Sequence, residues 1–183
     1  MKPGGGAAKG AQFERTVACS LSLWLTGGAR ADVFARNVSS GGKFTKQRAA
    51  GLELNMPGDL AAAHPLANDF AAKYMVECKF VADVKIMAFI QDNRHKPKSW
   101  LGLVIAKARD EARAGNRDWL VIAKQNQFPP FLVCDAATAG AAAIHAAVRL
   151  GRLELRPHTI HGFSMFRLED FVAYVRPQAF LHF

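Results

Sequence analysis

Near the N-terminus, apolar residues recur at steps of three and four. Phe13, Val17, Leu21 and Trp24 fall on one face of a helix expected over residues 11–25. The glycines of "TGG" at 26–28 end it, because glycine accepts the left-handed cap conformation. "ADVFARNV" then reads as a strand and "SSGGKFTKQRAAG" as a loop. Two more strands are expected over 58–62 and 74–81, joined by a turn region, "AAHPLANDF", that Pro65 and Asn68 punctuate. Ser99 is placed to cap a helix from Trp100 to about Ala114, closed by Gly115. "DWLVIAKQ" and "PFLVCD" are apolar strands flanking "NQFPP". The Ala-rich stretch 136–150 favours helix, and the tail reads as two short strands and a terminal helical turn or two. The order helix, three strands, helix, strand, strand, helix predicts an α/β fold, a mixed central β-sheet flanked by helices.

Composition narrows the setting. A chain of 183 residues, half of them hydrophobic, has the length of one domain and enough apolar residues for a sizeable core. Residues 1–10 are expected as a flexible Gly-rich tail and 11–183 as a single domain, its core over about 11–134 and a C-terminal extension over 135–183. Cys19, Cys78 and Cys134 lack metal-type spacing and each lies in an apolar run, so they read as small hydrophobes in a reducing cytoplasm. No stretch is long and apolar enough for a membrane span. The net charge of +9 points to a polyanionic partner, nucleic acid foremost.

The window 56–80, "MPGDLAAAHPLANDFAAKYMVECKF", sets charges into otherwise apolar elements. Alternate side chains of a strand share a face, so Glu77 and Lys79 point one way while Val76, Cys78 and Phe80 point the other, into the core. Asp59 lies on the preceding short strand, which an antiparallel pairing would set beside Glu77. Two carboxylates brought together repel unless a cation or a proton lies between them. Mg²⁺ suits such oxygens, and a neighbouring lysine can orient the attacking water or offset charge on a phosphate. Taken alone, Asp59 could equally cap the Pro-Gly turn, and Glu77 and Lys79 could line an exposed strand face.

"PGD" followed by "VECK", in this order of elements, resembles the PD-(D/E)XK nuclease superfamily, which has the restriction-endonuclease-like αβββαβ core. The resemblance spans about residues 11–134. It implies a metal-dependent endonuclease with Asp59, Glu77 and Lys79 as catalytic residues. The metal ligands would be Asp59, Glu77 and the backbone carbonyl of Cys78, with Mg²⁺ as cofactor and Mn²⁺ as a substitute. Members often carry a further acid on the first helix, where Glu14 stands, although the helix dipole alone also favours a Glu near a helix start. The motif departs from the family in having Gly58, with Pro57 one residue earlier, before the acid. The layout is most similar to Holliday junction resolvases and small phage endonucleases, which implies a homodimer acting on branched duplex DNA in a bacterial or phage-infected cytoplasm.

Basic side chains supply candidate phosphate contacts: Lys43, Lys46 and Arg48 in the loop, then Arg94, Lys96 and Lys98. On the second helix, Lys107 is a further candidate by resemblance, although its i,i+4 spacing to Glu111 also suits a plain ion pair. Lys124 is similar, and His145, His158 and His161 read as structural. Competing readings are a sequence-specific or single-strand-directed nuclease, and a non-catalytic nucleic-acid-binding module of the same fold. Against the module, close carboxylates facing phosphates would repel DNA without a metal.

Overall fold

The computed structural model describes residues 5–37, 57–85, 88–89, 99–135, 137–138, 158–160 and 162–181. The candidate phosphate contacts Lys43, Lys46, Arg48, Arg94, Lys96 and Lys98, together with His145, His161 and most of the Ala-rich stretch, lie outside them.

Helix α1 spans Gly5–Leu25, so it begins within the segment expected as a tail rather than at Ala11. Its predicted face holds: Phe13, Val17, Leu21 and Trp24 are all buried. Gly27 and Gly28 adopt positive φ and cap it, the Gly28 N–H donating to Leu23 O at 2.7 Å. Cys19 lies between the buried positions and is exposed, unlike the buried Cys78 and Cys134, so one of the three thiols is not a core residue.

Strands β1 (Phe34–Arg36) and β2 (Leu60–Ala62) form a two-stranded antiparallel sheet. After β2 a 3-10 turn, Pro65–Ala67, runs into a short helix, α2 (Asn68–Lys73), where the sequence suggested only a turn. Pro65 suits the first turn of a helix, since it has no N–H to leave unpaired. Strand β3 (Tyr74–Val81) follows directly. Helix α3 (Trp100–Ala114) starts as predicted, with Ser99 Oγ accepting from Gly102 N at 3.3 Å. Strands β4 (Asp118–Gln125), β5 (Phe131–Asp135), β6 (His158–Ile160) and β7 (Phe163–Arg167) complete a five-stranded sheet of order β3-β4-β5-β7-β6. β3 and β4 are parallel, joined across α3, and the other neighbours are antiparallel. Helices α4 (Leu168–Tyr174) and α5 (Pro177–Leu181) end the chain.

Side-chain alternation divides the core in two. Val76, Cys78, Leu120, Ile122, Leu132 and Cys134 face α1, α4 and α5. Met75, Trp119, Val121, Ala123 and Val133 face α3, meeting Leu101, Ile105, Ala108 and Ala112. The sheet is thus covered on both sides, as a parallel crossover requires. Met75 shares the face of Glu77 and Lys79 yet is wholly buried under α3, so the charges occupy only the middle of that face, between Met75 and Val81.

The C-terminal segment completes the α1 side of the core. Trp24 packs edge-on or tilted against Phe70, Phe171 and Phe180, with ring centroids 5.4–6.1 Å apart, and its indole Nε1 donates to Val175 O at 2.7 Å.

Candidate active site

The route by which Asp59 reaches β3 differs from the predicted hairpin. β2 makes its ladder with β1, and among the described residues this segment touches β3 through one main-chain bond, from Asp59 N–H to Val76 O at 2.8 Å. Asn37 fixes the same point from the other side, its N–H donating to Asp59 O (2.7 Å) and its side-chain amide to Gly58 O (3.1 Å). Arg117, at the start of β4, donates from its guanidinium to Pro57 O (2.8 Å) and to Ala71 O (3.2 Å), tying the turn to α2.

Gly58 explains the departure from the proline-aspartate pattern. Its φ is +118°, and a Cβ there would lie 3.0 Å from Met75 Cγ and 3.1 Å from Val76 O. Only glycine lets the backbone come this close to β3. Gly58→Ala is therefore expected to lower stability by about 1–3 kcal/mol, seen as a lower denaturant midpoint. An unchanged midpoint would contradict this account of the turn.

This approach aims the Asp59 carboxylate at the edge of the five-stranded sheet. Asp59 Oδ2 accepts the Cys78 N–H at 2.8 Å, and Asp59 and Glu77 are both buried. The Lys79 ammonium lies 2.5 Å from Glu77 Oε1, 3.3 Å from Cys78 O and 3.5 Å from Asp59 Oδ2. The lysine is about a third exposed, so the cluster opens to solvent on this side.

The electrostatics follow from that crowding. Burial, and then the charge of Asp59, raises the Glu77 carboxyl above the usual carboxylate range, with Lys79 and Lys107 pulling it back. Burial alone would lower the Lys79 ammonium, but the Asp59 and Glu77 charges outweigh it and hold it up. The Cys78 thiol, packed in the core, is pushed well up by burial, so Cys78 offers the site its carbonyl rather than its sulfur.

Glu14 does not sit in the first turn. With α1 starting at Gly5, it lies well inside the helix, so the dipole argument lapses. Its side chain is mostly buried, forms an ion pair with Arg36 Nε, and is close enough for its charge to act on the Cys78 thiol. Lys107 pairs with Glu111 at 3.6 Å, the plain ion pair its spacing suits, and its charge also acts on Glu77. Lys124 lies over the Phe80 ring, 5.7 Å from its centroid.

Arg36, Asn37 and Arg117 were not singled out from sequence. A buried Asn and an Arg that donates to main-chain carbonyls leave no periodic signature.

The oxygens around Lys79 can also hold a divalent cation. Two carboxylates and a carbonyl are hard donors, and the ammonium already stands among them as a positive charge. Among the described residues no three His, Cys, Asp or Glu side chains converge as ligands, so such a cation would complete its shell with water, as Mg²⁺ commonly does.

A family model described as phage putative PDDEXK endonuclease matches residues 6–177. The chain belongs to this family. No curated protein and no solved structure matches it. Membership of the phage PDDEXK family makes the chain a PD-(D/E)XK-type nuclease acting on DNA, in a superfamily that generally uses divalent metals. Its α/β architecture agrees with that fold. Among the described residues, no helix of this family member is long and apolar enough to cross a membrane.

Proposed function

We propose that the protein is a Mg²⁺-dependent DNA endonuclease whose active site is Asp59, Glu77 and Lys79, selective for branched DNA and working as a homodimer. The observation that carries the reading is the gathering of Asp59 Oδ2, Glu77 Oε1 and Cys78 O around one cationic position at the open edge of β3.

In this reading Asp59, Glu77 and the Cys78 carbonyl hold the metal, for which Mn²⁺ can substitute. When bound, the cation supplies Lewis-acid polarisation of the phosphate and offsets charge that develops on it. Asp59 is pre-set for its part by the Cys78 N–H and by the turn that Asn37 and Arg117 secure. Lys79 turns its ammonium to the attacking water or to the scissile phosphate, lowering the cost of charge in the transition state. Glu14, neutralised by Arg36, is an accessory acid on the α1 side. Lys107, exposed on α3, adds a phosphate contact, as do Lys43, Lys46, Arg48, Arg94, Lys96 and Lys98.

The raised Glu77 pKa has a defined sign. Native Glu77 keeps its proton to a higher pH than in the unfolded chain, so without metal its ionisation lowers stability as pH rises through that range. Metal ligation needs the ionised form. The Mg²⁺ concentration giving half-maximal cleavage is therefore expected to rise as pH falls from neutrality through the Glu77 range. A requirement that stays constant over that interval would contradict the ligand role.

Substrate choice is tested by cleavage of a panel of four-way-junction, flapped, single-stranded and plain duplex DNA under one Mg²⁺ condition. Preferential cutting of the junction is expected. Equal cutting of duplex would remove the branched-DNA assignment, and preference for single strands would replace it.

A further inference from the structure

The hairpin between β4 and β5 leaves the sheet at the same end as the catalytic lysine. In the parallel β3–β4 pair, Lys79 lies beside Ala123 and Val81 beside Gln125, and the chain then runs on through residues 126–130 before β5 begins. Phe128 sits in this hairpin. It is 58% exposed and is the only aromatic among the large apolar side chains left exposed in the described residues.

Single exposed apolar residues are common and mean little alone. Here two further features bear on the ring. The hairpin is braced: Phe128 N–H donates to Gln125 O at 3.3 Å, Leu168 N–H donates to Pro130 O at 3.0 Å, and Pro129 and Pro130 fix two backbone dihedrals. Its base is tied to the segment after β3, with Gln125 Oε1 accepting from Val84 N at 3.2 Å. A pre-set aromatic face suits DNA, because stacking on an aromatic ring needs no particular base.

We propose that Phe128 is a nucleobase-stacking contact that engages an unpaired base near the scissile phosphate. Five residues separate Phe128 from the register of Lys79, a path of at most roughly 17 Å at strand rise, so the base lies within a few nucleotides of the cut. A paired base inside a duplex already has both faces covered by its neighbours. The contact therefore favours branched, flapped or single-stranded DNA over plain duplex. It rests on the nuclease reading above and adds a residue that selects the substrate.

The test compares wild type, Phe128→Ala and Phe128→Trp on two DNAs, a plain duplex and the same duplex with a single-stranded flap carrying 2-aminopurine. Binding is measured by anisotropy with Ca²⁺ in place of Mg²⁺, stacking by 2-aminopurine quenching, and cleavage with Mg²⁺. For Phe128→Ala, flap binding is expected to weaken by about 5- to 100-fold, with quenching lost and duplex binding nearly unchanged, while Phe128→Trp restores both signals. If wild type binds and cuts but Phe128→Ala matches it on both DNAs, or loses both equally, the stacking contact is overturned and the nuclease reading stands. If wild type neither binds nor cuts either DNA, the nuclease reading falls and the contact falls with it.

Discussion

Replacing Lys79 with methionine is expected to slow single-turnover DNA cleavage by about 10²–10³-fold, because the ammonium that pairs with both Asp59 and Glu77 is removed from where phosphate charge develops. Methionine has a similar reach and no charge, so the substitution isolates the electrostatic part. The same change should alter the metal-free protein. Lys79 compensates two buried carboxylates, and removing one partner of a buried polar contact costs about 1–3 kcal/mol, reduced here by the lysine's partial exposure. Mg²⁺ is then expected to raise the melting temperature of Lys79→Met more than that of wild type, since the metal takes over compensation that the lysine provides in the native chain. Unchanged cleavage, or an equal rise in both proteins, would remove Lys79 from the centre.

Trp24→Ala is expected to have the largest effect on folding, about 3–5 kcal/mol. The indole fills the space between Phe70, Phe171 and Phe180 and donates to Val175 O. Its removal leaves both a cavity and an unpaired buried carbonyl. Against a typical total stability of about 5–15 kcal/mol, the variant should melt far below wild type. The specific activity of the folded fraction should be preserved, because Trp24 lies about 15 Å along α1 from Glu14. A small shift in melting would show that the C-terminal helices contribute little to the core.

The contrast between these two residues marks what the sequence makes legible. Phe13, Val17, Leu21 and Trp24 declare their helix face through spacing alone, and Ser99 declares its cap. The alternation in "YMVECKFV" correctly put Glu77 and Lys79 on one face, with Val76 and Cys78 in the core. It could not reveal that Met75, on the same face, is covered by α3, since that depends on the crossover between parallel strands. Pairing was also out of reach. β1 and β2 are short and have little register signal, so β2 was assigned to β3 when its partner is β1. Asp59 still arrives beside Glu77, through a glycine that only the close backbone approach explains. Arg36, Asn37 and Arg117 act through main-chain carbonyls and a half-buried ion pair, interactions that leave no pattern in a single sequence.

The central claim is that Asp59, Glu77 and Lys79 form a metal-dependent phosphodiesterase centre. Cleavage of supercoiled, linear and four-way-junction DNA by wild type and by Asp59→Ala, in Mg²⁺ and in chelator, tests it most directly, with circular dichroism confirming that both proteins are folded. The account predicts cutting by wild type in Mg²⁺ alone and a loss on the order of 10³-fold or more in the variant, the several kcal/mol that a correctly held metal supplies. Folded Asp59→Ala that cuts as fast as wild type, or wild type that cuts equally well in chelator, would contradict it.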